Sequence, residues 1–445
     1  MRPAEVRPGA AATPAATSIS VEELRPEEDL RAPAILLIFG LLLNQSGIMF
    51  GLNMSLADPL ALLLLLAALI RGKLWIPFRP LLFFVILSLV GLGTSLWVSQ
   101  FLLPGQLATG TILTDYLKLL TSFAYFALGI HLVRLGIASS VLRAFAIGAI
   151  AVSLLAVLSL VFPPIMGHPV LFYAWYRFRG IMYDPNLYSI VAIAALAVTW
   201  HDTKMPRALR GAGMITLATA ALLSGSKTGA VVLALWVGWR IVTHLRSAGQ
   251  SGPGGALYLL GAGLVALVVA VLIGGPAAQS WIASAAGSNR ALERAFSMFD
   301  GLETGAQGSD ESARELTWTN ALRLIEQHPV TGVGIGTYGE VAYSVTSARV
   351  LAHNTFLQLA AEWGIPLAGV FFAWVFWQLF RVPPLGAPAH SWATSRAIVA
   401  VLLAGSLAIS LNNARIFWLA LGILAAINAG THGAGADPPS KALIR

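Results

Sequence analysis

The stretch PLLFFVILSLVGLGTSLWVSQ, residues 80–100, runs for 21 residues without one charge. At 1.5 Å of rise per residue a helix of that length reaches about 31 Å, the thickness of a bilayer's hydrocarbon core. The rest of the chain repeats the pattern: 57% of its 445 residues are hydrophobic and only 11% are charged. A soluble domain carries about 25% charge, so most of this surface has to face lipid. That excludes an ordinary soluble enzyme. The net charge of +8 comes from 28 Lys and Arg against 20 Asp and Glu. The basic residues form no dense run interleaved with aromatics, so nucleic acid is not a partner. With no cysteine at all, disulfides, thiolate nucleophiles and cysteine zinc sites are excluded.

Apolar runs of spanning length predict an all-α, polytopic membrane protein with about 12 transmembrane helices. They lie near 33–50, 57–70, 80–100, 111–131, 139–162, 186–200, 208–224, 229–243, 255–275, 354–380, 395–411 and 414–430. The chain therefore divides into a tail at 1–32, nine spans within 33–275, a long polar segment at 276–353, three spans within 354–430, and a second tail at 431–445. An even number of spans puts both termini on one side. If that side is cytoplasmic it holds 18 of the 28 Lys and Arg, as the positive-inside rule requires. Lys118 falls within a span. Arg177, Arg179, Lys227, Arg290, Arg294, Arg314, Arg323, Arg349 and Arg415 break the rule on the outer side, which points to function there.

The 276–353 segment is too short and too rich in glycine for a large core of its own, so it is expected to lie against the membrane domain. Within it Ser312-x-x-Glu315 reads as a capping box. Trp318, Ala321, Leu322 and Ile325 then follow at helical spacing, and His328-Pro329 ends the run. An amphipathic helix is predicted over 313–328, with Arg314 at the start of its apolar face.

Several outer residues have the chemistry of an anion site. Arg177 and Arg179 offer planar forks to phosphate oxygens, and they equally suit an interfacial belt of Tyr, Trp and Arg. Asp184-Pro185-Asn186 reads as a cap opening the sixth span. Ser224-Gly225-Ser226-Lys227-Thr228-Gly229 lacks the first glycine of a nucleotide phosphate loop. It is either a plain turn with a snorkelling lysine or a small anion-binding nest. Gly332-Val333-Gly334-Ile335-Gly336 lacks the context of a dinucleotide fingerprint and is expected to permit close backbone approach to the membrane domain or a ligand. Asn354 is expected to cap the next span, after which Gly364-Ile365-Pro366 predicts a break. His353, near the positive helix end, would stay neutral and so be fit for a general base, although a lone histidine is more often structural. Asp115 and Lys118 are spaced to pair on one helix face. Asn412, Asn413 and Arg415 mark the last outer turn.

Three groups of residues, taken together, resemble the O-antigen ligase/polymerase family. One is Arg314…Trp318-x-x-Ala321-Leu322 through His328-Pro329-x-x-Gly332-x-Gly334-x-Gly336. The second is His353-Asn354-x-Phe356-Leu357…Glu362-x-Gly364, and the third comprises the Arg177–Asn186 stretch and the Ser-Gly-Ser-Lys-Thr-Gly turn. The resemblance implies a GT-C type glycosyltransferase of the bacterial inner membrane, working at the periplasmic face without metal or nucleotide sugar. The implied donor is an undecaprenyl-diphosphate-linked glycan, and the acceptor is lipid A-core for a ligase or a second lipid-linked glycan for a polymerase. By the same resemblance His353 matches the essential histidine, and Arg177, Arg179 and Arg314 fall where cations meet the diphosphate; we group Arg314 with His353 as catalytic. Lys227, Arg290 and Arg294 join the diphosphate set by their chemistry, with Asp184, Asn186 and Asn354 supporting. A transporter or flippase for the same lipids is the rival from another class. It predicts mid-span ionisable residues on several helices, whereas the charge here sits on one face.

Overall fold

Lipid offers no partner to a backbone N–H or C=O, so apolar segments close their hydrogen bonds within helices. The computed structural model, which describes residues 33–49, 52–103, 109–247, 290–296, 309–346 and 351–430, is mostly helical. Its helices are α1 (Ala34–Leu42), α2 (Ala57–Ile70), α3 (Phe78–Phe101), α4 (Thr109–Arg134), α5 (Ala138–Ser159), α6 (Pro185–His201), α7 (Arg207–Leu223), α8 (Lys227–Ser247), α9 (Arg290–Phe296), α10 (Ser309–Gln327), α11 (Tyr338–Thr346), α12 (Thr355–Phe380), α13 (Ala389–Gly405) and α14 (Arg415–Asn428). Four of the described helices, α3, α4, α5 and α12, are long and apolar enough to cross a membrane. The span expected at 255–275 lies outside the described residues.

The mostly helical fold bears out the expected class and also carries two short antiparallel ribbons, which pair β1 (Gly47–Met49) with β2 (Leu52–Met54) and β3 (Phe172–Tyr173) with β4 (Arg177–Phe178). One expectation needs correction here. The span expected at 33–50 is only nine residues of helix. Asn44 stops it, its amide donating to the Leu41 carbonyl at 3.1 Å and to the Phe145 carbonyl of α5 at 2.9 Å.

Contacts among the described residues gather many of the connections into two groups. At one end Arg134 lies over the Trp75 ring, Arg143 forks onto the Asp202 carboxylate at 2.6 and 3.0 Å, and the Trp392 indole donates to Asn428 at 3.0 Å. At the other, the Ser46 amide donates to the Ile181 carbonyl, and Arg177 reaches the turn between α7 and α8. Between them α4 and α14 press together at Gly129 and Gly422: a Cβ on either would lie 2.3 Å from the Leu419 carbonyl oxygen or 2.1 Å from that of Phe126. Small residues let membrane helices approach this closely. The outer faces of α2 and α3 stay apolar and exposed, as at Leu69 and Leu89, where lipid replaces water.

Helices α2 and α14 have 14 residues each, so they rise only about 21 Å. Asp58 and Arg415 stand at their starts with their side chains largely buried. The Arg415 guanidinium meets the Asp58 carboxylate at 2.8 and 3.2 Å, and the Tyr125 hydroxyl of α4 donates to the same carboxylate at 2.8 Å.

The amphipathic helix expected at 313–328 exists as α10 but begins at Ser309, so Ser312 lies within it and not at its start. Its packed face is also turned by one residue: Thr317, Asn320, Ala321 and Leu324 are buried, while Trp318 and Leu322 are exposed. The hydrophobic pattern gave the period correctly and the phase wrongly. Buried polar Thr317 explains the turn, since its hydroxyl donates to the Ala352 carbonyl just before α12.

Helix α12 breaks where Gly364-Ile365-Pro366 predicts. Gly364 has φ 78° and ψ 159°, a region open only to glycine. The glycine-rich loop at 329–336 fits into this break. The amides of Val333 and Gly334 donate to the carbonyls of Ala361 and Glu362 at 2.8 and 3.0 Å, and the Ile365 amide donates to Pro329 at 2.8 Å. Any side chain at Gly332 would collide with the Glu362 carbonyl, 2.4 Å from the Cβ position. The loop's far side is held by Ser95 of α3, whose hydroxyl donates to the Ile335 carbonyl at 2.7 Å. Close backbone approach to the membrane helices is thus what these glycines permit.

Candidate functional site

Most of the expected site residues lie at one end of the bundle, in two neighbouring groups. The first surrounds the turn between α7 and α8. Asp184 caps α6, its carboxylate accepting from the amides of Asn186 and Leu187 at 2.7 and 2.9 Å, with Pro185 in the first turn. Asn186 is thereby fixed, and its side-chain oxygen accepts from the Arg177 guanidinium at 2.8 Å. Arg177, nearly buried, also donates to the Ser224 carbonyl at 3.0 Å and stands over the Tyr173 ring. Lys227 opens α8 two residues after Gly225, and the Gly225 Cβ position lies 3.2 Å from the Ala291 carbonyl of α9. Arg290 and Arg294 belong to that short helix. The fold thus gathers Arg177, Lys227, Arg290 and Arg294 from three segments around one turn.

The turn itself is less open to an anion than a nest would be. The Ser226 hydroxyl accepts from the Gly229 amide at 3.0 Å, and the Ser224 hydroxyl accepts from the Ser226 amide at 3.2 Å. Two of its amides are thus already taken by the turn's own hydroxyls. Arg179 is turned away from the cluster: its guanidinium donates to the carbonyls of Pro169, Val170 and Tyr183, at 2.7, 3.3 and 3.1 Å. It ties down its own loop. Arg314 lies on α10, and its side chain is outside the described residues.

The second group is His353 and Asn354. Asn354 caps α12 by accepting from the Leu357 amide at 3.1 Å and donating to the Leu407 carbonyl at 3.0 Å. His353 precedes the cap with φ 47°, a left-handed conformation rare for a residue with a side chain. Such strain of about 1–3 kcal/mol persists where surrounding structure enforces it. Here the cap, the Thr355 amide donating to Ser406 at 2.8 Å, and the Thr317 bond at Ala352 hold the chain on both sides. The residue is exposed just ahead of the first turn of α12.

Below His353 a crevice opens that the motif reading only touched. Asn354, Gln358 and Glu362 repeat every four residues and so share one face of α12. Gln358 donates to the Glu362 carboxylate at 2.8 Å. Asp115 and Lys118 of α4 form the ion pair their spacing predicts, and they line the same crevice as Gln358, Glu362 and Arg415. Tyr338 of α11 is buried beside it. Desolvation first, then the charge of Glu362, pushes its phenol well above the ordinary value, so it stays protonated. Gln358 carried no signal in sequence, because a glutamine on an apolar helix matches no catalytic pattern.

The helices and the polar end define the class as a helical membrane protein. Within that class, residues 212–372 match the family model described as O-antigen ligase, which supports assigning the chain to the O-antigen ligase/polymerase family. The matched region runs from α7 through Lys227, the glycine-rich loop, His353 and Glu362 into α12. No curated protein matches the chain.

Proposed function

We propose that the protein is a glycosyltransferase that moves a glycan from undecaprenyl diphosphate to an acceptor hydroxyl, as an O-antigen ligase acting on lipid A-core. The observation that carries this reading is that the family-matched region contains His353, strained and exposed beside a polar crevice, while a basic cluster stands on neighbouring segments. His353 accepts the proton of the acceptor hydroxyl as its oxygen attacks the anomeric carbon. The bond from that carbon to the diphosphate oxygen breaks, and the configuration inverts. Arg177, Lys227, Arg290 and Arg294 stabilise the charge that develops on the leaving diphosphate, where low dielectric strengthens each contact. Arg314 is assigned beside them from the resemblance. In this reading twelve spans place both termini in the cytoplasm and the site at the periplasmic face of the inner membrane. The 276–353 segment supplies α9 to α11 on that side, and no metal or nucleotide takes part.

The test is turnover by purified protein with a lipid-linked glycan and lipid A-core. His353→Ala is expected to abolish transfer while folding is retained, and near-normal turnover would sink the base assignment. Replacing Arg177 by Ala is expected to weaken binding of the lipid diphosphate, and unchanged binding would remove the cation cluster from the donor site. Loss of the protein in cells should leave long polymer off the core. A core capped by single repeats would instead make it a polymerase.

A further inference from the structure

The crevice beneath His353 has a chemistry unlike the basic cluster's. Its cavity measures about 170 Å³. A cavity of about 150 Å³ holds a benzene molecule, so one six-membered ring fits here. Its cations are both neutralised in place, Lys118 by Asp115 and Arg415 by Asp58. Nothing in that wall calls for an anion.

What the wall does show is unfilled hydrogen-bonding capacity. Gln358, Ser46 and Ser410 belong to the lining of this crevice, and their side-chain oxygens are buried with no hydrogen-bond partner among the described residues. Gln358 is only 4% exposed and Ser46 only 7%. With its amide nitrogen donating to Glu362, Gln358 presents its oxygen as an acceptor. The serine hydroxyls can donate or accept, and Asn412 and Asn413 border the same space. Each buried polar atom left unpaired costs about 1–3 kcal/mol, so three in one crevice mark a place for a ligand that hydrogen-bonds on several sides. Trp363 and Trp418 add aromatic surface to the lining.

We infer that this crevice is a binding subsite for a neutral, polyhydroxylated six-membered ring, that is, an uncharged sugar unit, separate from the cation cluster around Arg177. Ring hydroxyls donate to Gln358 and exchange hydrogen bonds with the Glu362 carboxyl, Ser46 and Ser410. An apolar ring face lies against the indoles. The assignment of a sugar, and not another polyol, rests on the glycan-transfer reading above, whereas the neutral, hydrogen-bonding character of the crevice does not. Placed one helical turn and more below His353, the subsite would hold a sugar unit of the glycan within the reach of that imidazole.

The test uses the full-length protein in lipid nanodiscs, free of glycosidic detergent, and reads saturation-transfer NMR from glucose, galactose, rhamnose and N-acetylglucosamine. At least one is expected to bind, with Gln358→Leu and Ser410→Ala each weakening it about tenfold and Arg177→Ala leaving it unchanged. Gln358→Met, close in volume, guards against a folding defect and should weaken binding equally. Binding to none of the sugars, or equal binding by both crevice variants and parent, would overturn the subsite. So would displacement by inorganic pyrophosphate that persists in Arg177→Ala. Glycosyl transfer is scored separately: sugar binding that depends on Gln358, without any transfer, keeps the subsite and removes the transferase reading.

Discussion

Replacing Asp58 by Asn removes the charge that holds Arg415 below the surface of the bundle. The carboxylate accepts from Arg415 at 2.8 and 3.2 Å, from the Tyr125 hydroxyl at 2.8 Å and from the Ser55 amide at 2.8 Å. The two charged side chains are only 6% and 12% exposed. An amide keeps one acceptor oxygen and turns a donor toward the guanidinium, so Arg415 is left as a buried cation without its counter-charge. Removing one partner of a buried pair costs roughly 3–5 kcal/mol, and we expect Asp58→Asn to fall in that range. Arg415→Gln should cost less, because Tyr125 and Ser55 still serve the carboxylate. In the double variant the two amides can face each other, and the loss should be smaller than the sum of the singles by about 2–3 kcal/mol. Unfolding by SDS titration in mixed micelles, followed by fluorescence of the 13 tryptophans, measures all three. Single variants within about 0.5 kcal/mol of the parent, or strictly additive losses, would show that the pair is not what seats α14 against α2.

Gly364→Ala sets a Cβ 2.1 Å from the Val330 carbonyl oxygen in a conformation closed to alanine. Strain and overpacking of about 1–3 kcal/mol each predict a loss of roughly 2–6 kcal/mol in the same titration. Gly339→Ala, which meets nothing within 4 Å in α11, should be neutral or mildly stabilising. At the opposite end, burial would raise the Asp202 carboxyl, but the forked bond from Arg143 prevails and holds it below the ordinary value. A lowered carboxylate stabilises the fold above its unfolded pKa and loses that effect as pH falls through the folded one. Asp202→Asn is therefore expected to cost roughly 1.5–3 kcal/mol at neutral pH, with the gap to the parent closing as the medium is acidified below about 3.9. A gap that stays constant with pH would refute the pairing.

Length and hydrophobicity made the long helices legible, because lipid leaves a chain of 20 or more apolar residues no other solution. Caps at Asp184 and Asn354 and the break at Gly364 were legible too, since each follows from local chemistry within a few residues. The failures share a cause. The phase of α10 was set by Thr317 reaching Ala352, 35 positions away, and the end of α1 by Asn44 reaching Phe145, 101 positions away. Both are contacts that no window of sequence contains. The same holds for the candidate site: Arg177 and Lys227 were visible as cations out of place, but not that Asn186 and Ser224 would aim the first. Arg179 looked identical in sequence and was turned onto its own loop. Gln358 was silent, because its significance lies in what the other helices leave unpaired around it.

The clamp at the break in α12 also dictates an order of events during synthesis. Ser95 is made 240 positions before the Ile335 carbonyl it binds, and the loop in turn precedes α12. Until that loop has docked on α3, the carbonyls of Ala361 and Glu362 lack the partners it supplies, and lipid charges several kcal/mol for each. The last three helices can therefore close only around a loop already delivered. A chain whose loop failed to dock would carry an unhealed break in α12, so docking of that one segment and completion of the bundle are a single event.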